Sequence, residues 1–336
     1  MVFINAGKFR RYHGESLLSH LLDFKTIALN IRDLWRALSS VKTASSIMRK
    51  FKPDIVFSKG SFVAVPVGIA ARLKRIPIVT HDSDAVAGLA NKIISRWAVI
   101  DATGMPSGTY PYPKDHIRYV GVPIAADIIP ITPAAQESLK KAVSLPEDAP
   151  LLLIAGGGNG SKEINDAVVS ISEELLSANI TLQIVHITGE GNRHQVRQDY
   201  DQVLSKEQLK RVKIIGFTNE FAKYSGAADL IVCRAGATSL AEIAVLGKAS
   251  IIIPSTFLAG GHQLKNAEIL KSHNAAVIVE SPIESQKMLA LIGDLLTNPE
   301  RREDLSKNIS KLAKPDATRD LAKIIVEVAR KSQTDA

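Results

Sequence analysis

Cysteine is nearly absent from this chain: Cys233 is the one thiol in 336 residues. A lone cysteine excludes an internal disulfide and a cysteine-built metal cluster, and it fits a reducing cytoplasm. Long apolar runs are also missing. With no stretch of about 18 uninterrupted apolar residues, no helix is expected to span a membrane. Met1-Val2-Phe3-Ile4 is too short for the apolar part of a signal peptide, and basic residues follow it instead of preceding it. No short-period repeat, low-complexity tract or Gly-x-Ser-x-Gly elbow occurs, so Ser-His-Asp hydrolysis has no support.

What is present is globular: 46% apolar and 23% charged residues, in a chain long enough for two domains with separate cores. The net charge of +8 is unevenly placed, because residues 1–52 hold ten Lys/Arg against three acids. Mixed with Phe9, Leu17, Leu21, Phe24 and Trp35, these charges suit an anionic lipid surface at about 1 kcal/mol per basic residue. Nucleic acid, or a solvated helix face over a core stripe, remain the other readings of the charge alone.

From Asp54 onward short apolar runs alternate with helix-period segments. Strands are expected at Asp54-Phe57, Pro77-Thr80, Val99-Ala102 and Ile117-Val120, with helices at Val63-Arg72, Leu89-Ser95 and Ala134-Val143. The turn-rich Leu145-Pro146-Glu147-Asp148-Ala149-Pro150 reads as a domain boundary. The alternation then restarts with strands at Leu151-Ala155, Thr181-His186, Val212-Gly216, Leu230-Cys233, Ser250-Ile253 and Ala275-Val279. Helices are expected near 162–176, 193–205, 219–226, 238–246, 262–272 and 285–297, and Ala317-Lys331 reads as a last helix. Continuously apolar strands alternating with helices predict an α/β protein with two doubly wound sheets facing a cleft, split as 1–146 and 147–316.

Leu230 to Asn266 carries the densest chemistry. An apolar strand passes through Cys233-Arg234-Ala235-Gly236-Ala237 into a helix opening at Thr238-Ser239. Unpaired N–H groups and the helix dipole favour an anion there, and Glu242 lies one turn on, placed for sugar hydroxyls. This reads as a nucleotide-sugar site, with an ordinary Rossmann turn as the plainer alternative. Gly156-Gly157-Gly158-Asn159-Gly160-Ser161 also links a strand to a helix and suits phosphate or sugar contact. It is neither a Walker loop nor a dinucleotide fingerprint, since no acid closes the following strand. Ser58-Lys59-Gly60-Ser61 is a second such loop, and His81-Asp82-Ser83-Asp84 ends the next strand, suited to proton transfer, acceptor binding or helix capping. One His with two acids in four residues does not make a metal site. His186 and His194 read as structural loop and surface histidines.

Ordered matches over nearly the whole chain resemble the MurG family of N-acetylglucosaminyltransferases. They are Gly7–Tyr12, Lys52–Val63, His81–Asp84, Gly88–Ile93, Gly156–Asn165, Arg234–Glu242, His262–Glu268 and Pro315–Thr318. The resemblance implies a GT-B fold of two Rossmann-like domains, the N-terminal one incomplete, with the last helix (317–333) returning to it. It implies a peripheral enzyme at the cytoplasmic face of the bacterial membrane that makes lipid II from UDP-GlcNAc and lipid I. No metal, cofactor or nucleic acid is implied. An anionic membrane surface and other cell-wall enzymes are the further partners. Carried over by position, the backbone at Phe217-Thr218 reads uracil, Glu242 binds the ribose, Ala237-Thr238-Ser239 contact the diphosphate and sugar, and Gln263 holds GlcNAc hydroxyls. Asp84, Gly158, Asn159, Arg234, Leu240 and Ala241 fall at further donor-binding positions.

Three departures accompany the resemblance. The family's Gly-Gly-Thr-Gly-Gly-His loop, whose His is a candidate base, has no counterpart, as though roughly sixty residues of a Rossmann half were absent. Pro123-Ile124-Ala125 replaces Pro-Val-Arg, and Gly158 replaces a Ser. The implied chemistry is inverting: an acceptor hydroxyl attacks the anomeric carbon as UDP leaves, which requires charge stabilisation and a base. His81 and Asp82 are the base candidates on the acceptor side. A non-catalytic UDP-sugar-binding protein and a transferase for another lipid acceptor are the alternatives.

Overall fold

The computed structural model describes residue 4 and residues 39–106, 110–256 and 261–334. Most of the basic N-terminal segment, including the Gly7–Tyr12 match, lies outside the described residues. So does Gly260 in the loop before Gly261. The chain forms two compact units: Met1–Gly121 with Asp316–Ala336, and Val122–Pro315.

In unit 1 a helical stretch at 39–51 precedes β1 (Val56–Ser58), α1 (Ala64–Leu73), β2 (Ile78–Asp82), α2 (Leu89–Ile94), β3 (Ile100–Thr103) and β4 (Ile117–Tyr119). The four strands are parallel in the order β1-β2-β3-β4. Its core includes Ala70, Ala71, Ile78 and Ile94. The last described helix, α12 (Ala317–Thr334), lays Leu321, Ile324 and Ile325 against Ala102 and Val120. Gln333 Nε2 donates to Asp54 Oδ1 at 2.9 Å.

Unit 2 runs α3 (Pro133–Ala142), β5 (Leu151–Ala155), α4 (Lys162–Ala178), β6 (Gln183–Ile187), α5 (Arg193–Val203), α6 (Lys206–Leu209), β7 (Val212–Ile215), α7 (Phe221–Ala227) and β8 (Leu230–Cys233). It continues with α8 (Ala237–Leu246), β9 (Ser250–Ile252), α9 (His262–Ser272), β10 (Val277–Ile278), α10 (Ser285–Thr297) and α11 (Pro299–Ser310). Its parallel sheet has the order β10-β9-β8-β5-β6-β7. Every residue of β5 and β8 is buried, the condition of strands covered on both faces. Ile164, Val168, Ile171 and Leu175 on α4 pack on that sheet with Leu152, Ile184 and Val232.

The units divide at Gly121, upstream of the boundary expected at 146. The cause is the anchoring of α3 within unit 2. Lys140 Nζ lies 2.9 Å from Asp229 Oδ2 and donates to Ala149 O at 2.7 Å. Gln136 Nε2 donates to Asp229 Oδ1 at 2.9 Å, and Ile124, Ile128 and Ile131 pack near Val245 and Leu246. The Pro-Glu-Asp turn is thus an ordinary α3–β5 loop.

Lys248 is buried beside this group, donating to Gln136 Oε1 at 2.9 Å. Burial pulls its ammonium pKa down to about 8, against partial support from Asp229. The folded state therefore binds fewer protons than the unfolded one from about pH 8 up to the ordinary lysine value, and stability rises with pH across that window. Urea unfolding over this range should show that rise in the wild type relative to Lys248→Met. Parallel curves would contradict it.

Candidate donor-binding site

The order of the larger sheet reverses between β5 and β8: β6 and β7 lie on one side, β9 and β10 on the other. Ligands of open parallel sheets bind outside the carboxyl ends of the strands at such a reversal. Here Ala155 is in register with Cys233, so the loop after β5 and the turn after β8 begin side by side.

The first of these is Gly156–Gly160. A Cβ on Gly156 would overlap the Ser161 backbone, and one on Gly160 (φ +74°) would overlap the Thr188 carbonyl oxygen. By contrast, Cβ positions on Gly157 (φ +88°) and Gly158 meet nothing within 4 Å. The loop is pressed onto the protein at its ends and open in the middle, where Gly157, Gly158 and Asn159 are exposed. Beneath it Asn165 Nδ2 donates to Thr188 O at 3.1 Å, and Asn165 Oδ1 is 3.1 Å from His186 Nε2. His186 is fully buried in β6, not in a loop, and burial lowers its pKa to about 3. A neutral ring then donates from Nε2 to Asn165 and accepts from Tyr200 O–H at Nδ1, 2.9 Å away. His194 is exposed, as expected.

The second is the N-terminus of α8. Gly236 at the N-cap has no side chain to occupy the first N–H groups, so those of Ala237, Thr238 and Ser239 remain available. Thr238 is exposed and Ser239 and Ala241 half-buried. Leu240 corrects its expected donor contact: its side chain is core, 2% exposed, and its N–H donates to Gly236 O at 2.9 Å. Glu242 is half-buried, and that burial raises its carboxyl above the ordinary glutamate range. On α9, Gln263 Oε1 accepts from Ser255 N–H at 2.9 Å, which leaves its amide N–H groups for a ligand. Asn266 Nδ2 donates to Ala235 O at 2.9 Å and fixes the same turn. Phe217 is exposed and Thr218 half-buried after β7, with Thr218 Oγ1 accepting from Glu220 N–H at 2.9 Å. Arg234 Nη2 donates to Ser161 Oγ at 2.6 Å and Glu163 Oε2 at 2.8 Å. Nothing local in the sequence pairs these residues.

In unit 1, His81 and Asp82 are closed off, which corrects their expected role as the base. His81 is 0% exposed, with Nε2 3.0 Å from Gly121 O, and burial holds the ring neutral by lowering its pKa. Asp82 accepts from Gly88 N–H at 2.9 Å and from the Tyr112 hydroxyl. A carboxylate with both oxygens engaged inside the fold serves as a loop fastener. Asp84 is half-buried in the loop so fastened, and its carbonyl accepts from Tyr110 O–H at 2.7 Å. Asn91 bridges the two strand ends, donating to His81 O at 3.1 Å and accepting from Ser58 O–H at 3.1 Å.

Two parallel α/β units, one with a glycine loop and an uncapped helix N-terminus at a strand-order reversal, have the architecture of the GT-B class of sugar-nucleotide enzymes. Residues 151–321 match the glycosyltransferase family 28 C-terminal domain, and residues 4–100 match its N-terminal domain. The chain is 34% identical over 306 residues to the UDP-N-acetylglucosamine–N-acetylmuramyl-(pentapeptide) pyrophosphoryl-undecaprenol N-acetylglucosamine transferase of Thermoanaerobacter sp. (strain X514), covering 89% of this chain and 80% of that one. It is 32% identical to the Desulforamulus reducens protein of the same name, over 90% of this chain and 82% of the other. The crystal structure of Acinetobacter baumannii MurG superposes with a TM-score of 0.70 at 26% identity, over 88% of this chain and 79% of that one. The chain belongs to the MurG family.

The loop geometry makes a paired prediction. Gly160→Ala should lower unfolding free energy by about 2–3 kcal/mol, whereas Gly158→Ala should change it by less than about 0.5 kcal/mol. Urea denaturation of the two variants checks the contrast.

Proposed function

We infer that the chain transfers N-acetylglucosamine from UDP-GlcNAc to lipid I and so forms lipid II for peptidoglycan. The observation that carries the donor half is the open glycine loop beside the uncapped α8 N-terminus, on adjacent strands β5 and β8. In the inverting displacement an acceptor hydroxyl attacks the anomeric carbon and releases its proton to solvent while the sugar–diphosphate bond breaks and charge gathers on UDP. Backbone N–H groups at Ala237–Ser239 and along Gly157–Asn159 stabilise that charge. Glu242 takes the ribose hydroxyls, Gln263 the GlcNAc hydroxyls, and the Phe217-Thr218 backbone the uracil. Asp84 matches a further donor-binding position of the family.

Peripheral docking on an anionic membrane, at its cytoplasmic face, is part of the same proposal. No described helix is long and apolar enough to cross a membrane. Phe51 is 80% exposed between Arg49, Lys50 and Lys52, and Leu73 is 71% exposed between Arg72, Lys74 and Arg75. Both end helical segments just before the paired parallel strands β1 and β2, so both sit at the amino edge of that sheet. Apolar tips ringed by cations suit a headgroup layer.

Radiolabelled UDP-GlcNAc with a lipid I analogue tests the reaction. Labelled lipid II is expected, and its absence with a protein that binds UDP-GlcNAc would favour a non-catalytic donor binder. Glu242→Ala should weaken UDP-GlcNAc by at least about 1 kcal/mol in calorimetry. Because burial raises the Glu242 carboxyl, wild-type affinity should also weaken on acidification as that group protonates, a trend lost in Glu242→Gln. Vesicles rich in anionic lipid should bind the wild type with steep salt dependence and bind a Phe51→Ser/Leu73→Ser variant several-fold more weakly. Salt-insensitive binding would leave apolar insertion alone.

A further inference from the structure

Among the residues matched to donor-binding positions, Arg234 is notable for a guanidinium held by three hydrogen bonds to the protein itself. Nη2 donates to Ser161 Oγ (2.6 Å) and Glu163 Oε2 (2.8 Å), and Nη1 donates to Ile253 O at 3.2 Å. Glu163 Oε2 also accepts from Ser281 O–H at 3.1 Å. The Arg234 side chain is only 12% exposed and that of Glu163 28%.

The positions of these groups in the sheet give the pair its meaning. Ser161 is the N-cap of α4 and Glu163 lies in its first turn, immediately after the glycine loop. Arg234 directly follows β8 and precedes the α8 N-terminus, while Ile253 follows β9. Residue 281 lies beyond β10. One ion pair therefore ties together the carboxyl ends of β5, β8, β9 and β10, which are consecutive neighbours in the sheet. It spans the strand-order reversal itself.

We propose that Arg234 and Glu163 form a clamp that sets the separation between the Gly156–Gly160 loop and the α8 N-terminus, making Arg234 a positioning residue for the donor diphosphate and not a contact to it. This rests on the donor reading above. Two sets of backbone N–H groups on different elements can share one diphosphate only while their spacing is held to a fraction of an ångström. Ser161 alone holds α4 loosely, since its cap bond from Ile164 N–H is 3.4 Å long. The clamp also corrects an electrostatic conflict. The Glu163 carboxylate suits the N-terminus of α4 but repels an incoming diphosphate, and the guanidinium offsets that charge. A lysine at 234 cannot replace it, because a point-charge ammonium lacks the planar fork that reaches Ser161, Glu163 and Ile253 together.

The test compares full-length wild type, Arg234→Lys, Glu163→Gln and the double variant for calorimetric affinity toward UDP and UDP-GlcNAc, thermal midpoint, and donor KM and kcat. Arg234→Lys should weaken both ligands about tenfold and to the same extent, since the diphosphate they share is what the clamp positions. The loss should appear in donor KM far more than in kcat. Glu163→Gln should cost about threefold, and the double variant should be no weaker than Arg234→Lys, because both changes open the same clamp. A folded Arg234→Lys within twofold of wild type, fully additive losses, or a fall in kcat at unchanged KM would overturn the proposal. Should Arg234→Lys fail to fold, unchanged affinity in Glu163→Gln would overturn it equally. A wild type that binds neither ligand would instead sink the donor reading on which the clamp depends.

Discussion

The reversal of strand order between β5 and β8 is the constraint on which the candidate donor site depends. Right-handed crossovers carry successive strands outward in opposite directions from this pair, so the connections leaving β5 and β8 diverge. The gap between them is a consequence of chain topology, and the residues around it need only keep it open and polar. Glycines keep the first loop thin, Gly236 leaves the α8 N–H groups uncovered, and Asn266 holds the turn from behind.

Polar groups elsewhere show a different use of similar chemistry. His81, Asp82, His186 and Asn165 are acid–base or amide side chains near strand ends, and each is buried. They fasten loops: Asp82 to Gly88 and Tyr112, and Asn165, itself held by His186, to Thr188 under the glycine loop. Burial keeps both imidazoles neutral, which makes them dependable hydrogen-bonding pieces and poor proton acceptors from a ligand.

Much of this was legible from residue pattern. Leu151-Ala155 and Leu230-Cys233 are apolar throughout because helices cover both faces of a parallel sheet, and small residues gather in the two loops that leave their carboxyl ends. Four things were less legible. The stretch Ala275-Val279 yields only a two-residue strand at Val277–Ile278, since burial alone does not distinguish strand from loop. Helix α11 went unforeseen, although Asn298 caps it and Pro299 occupies its first turn. The boundary at Gly121 and the partners of Arg234 depend on contacts between residues tens of positions apart, which no local spacing encodes.

The placement of α12 bears on how the molecule is made. Its Leu321 packs on Ala102 and Val120, so unit 1 takes core residues from both sides of unit 2 in the chain. During synthesis the earlier strands of unit 1 must wait, partly uncovered, while the whole of unit 2 emerges and acquires its own core. Unit 2 is therefore the part able to fold first on the ribosome, and unit 1 is sealed by residues made only after the whole of unit 2. Loss of α12 would harm the unit whose strands are made before those of unit 2.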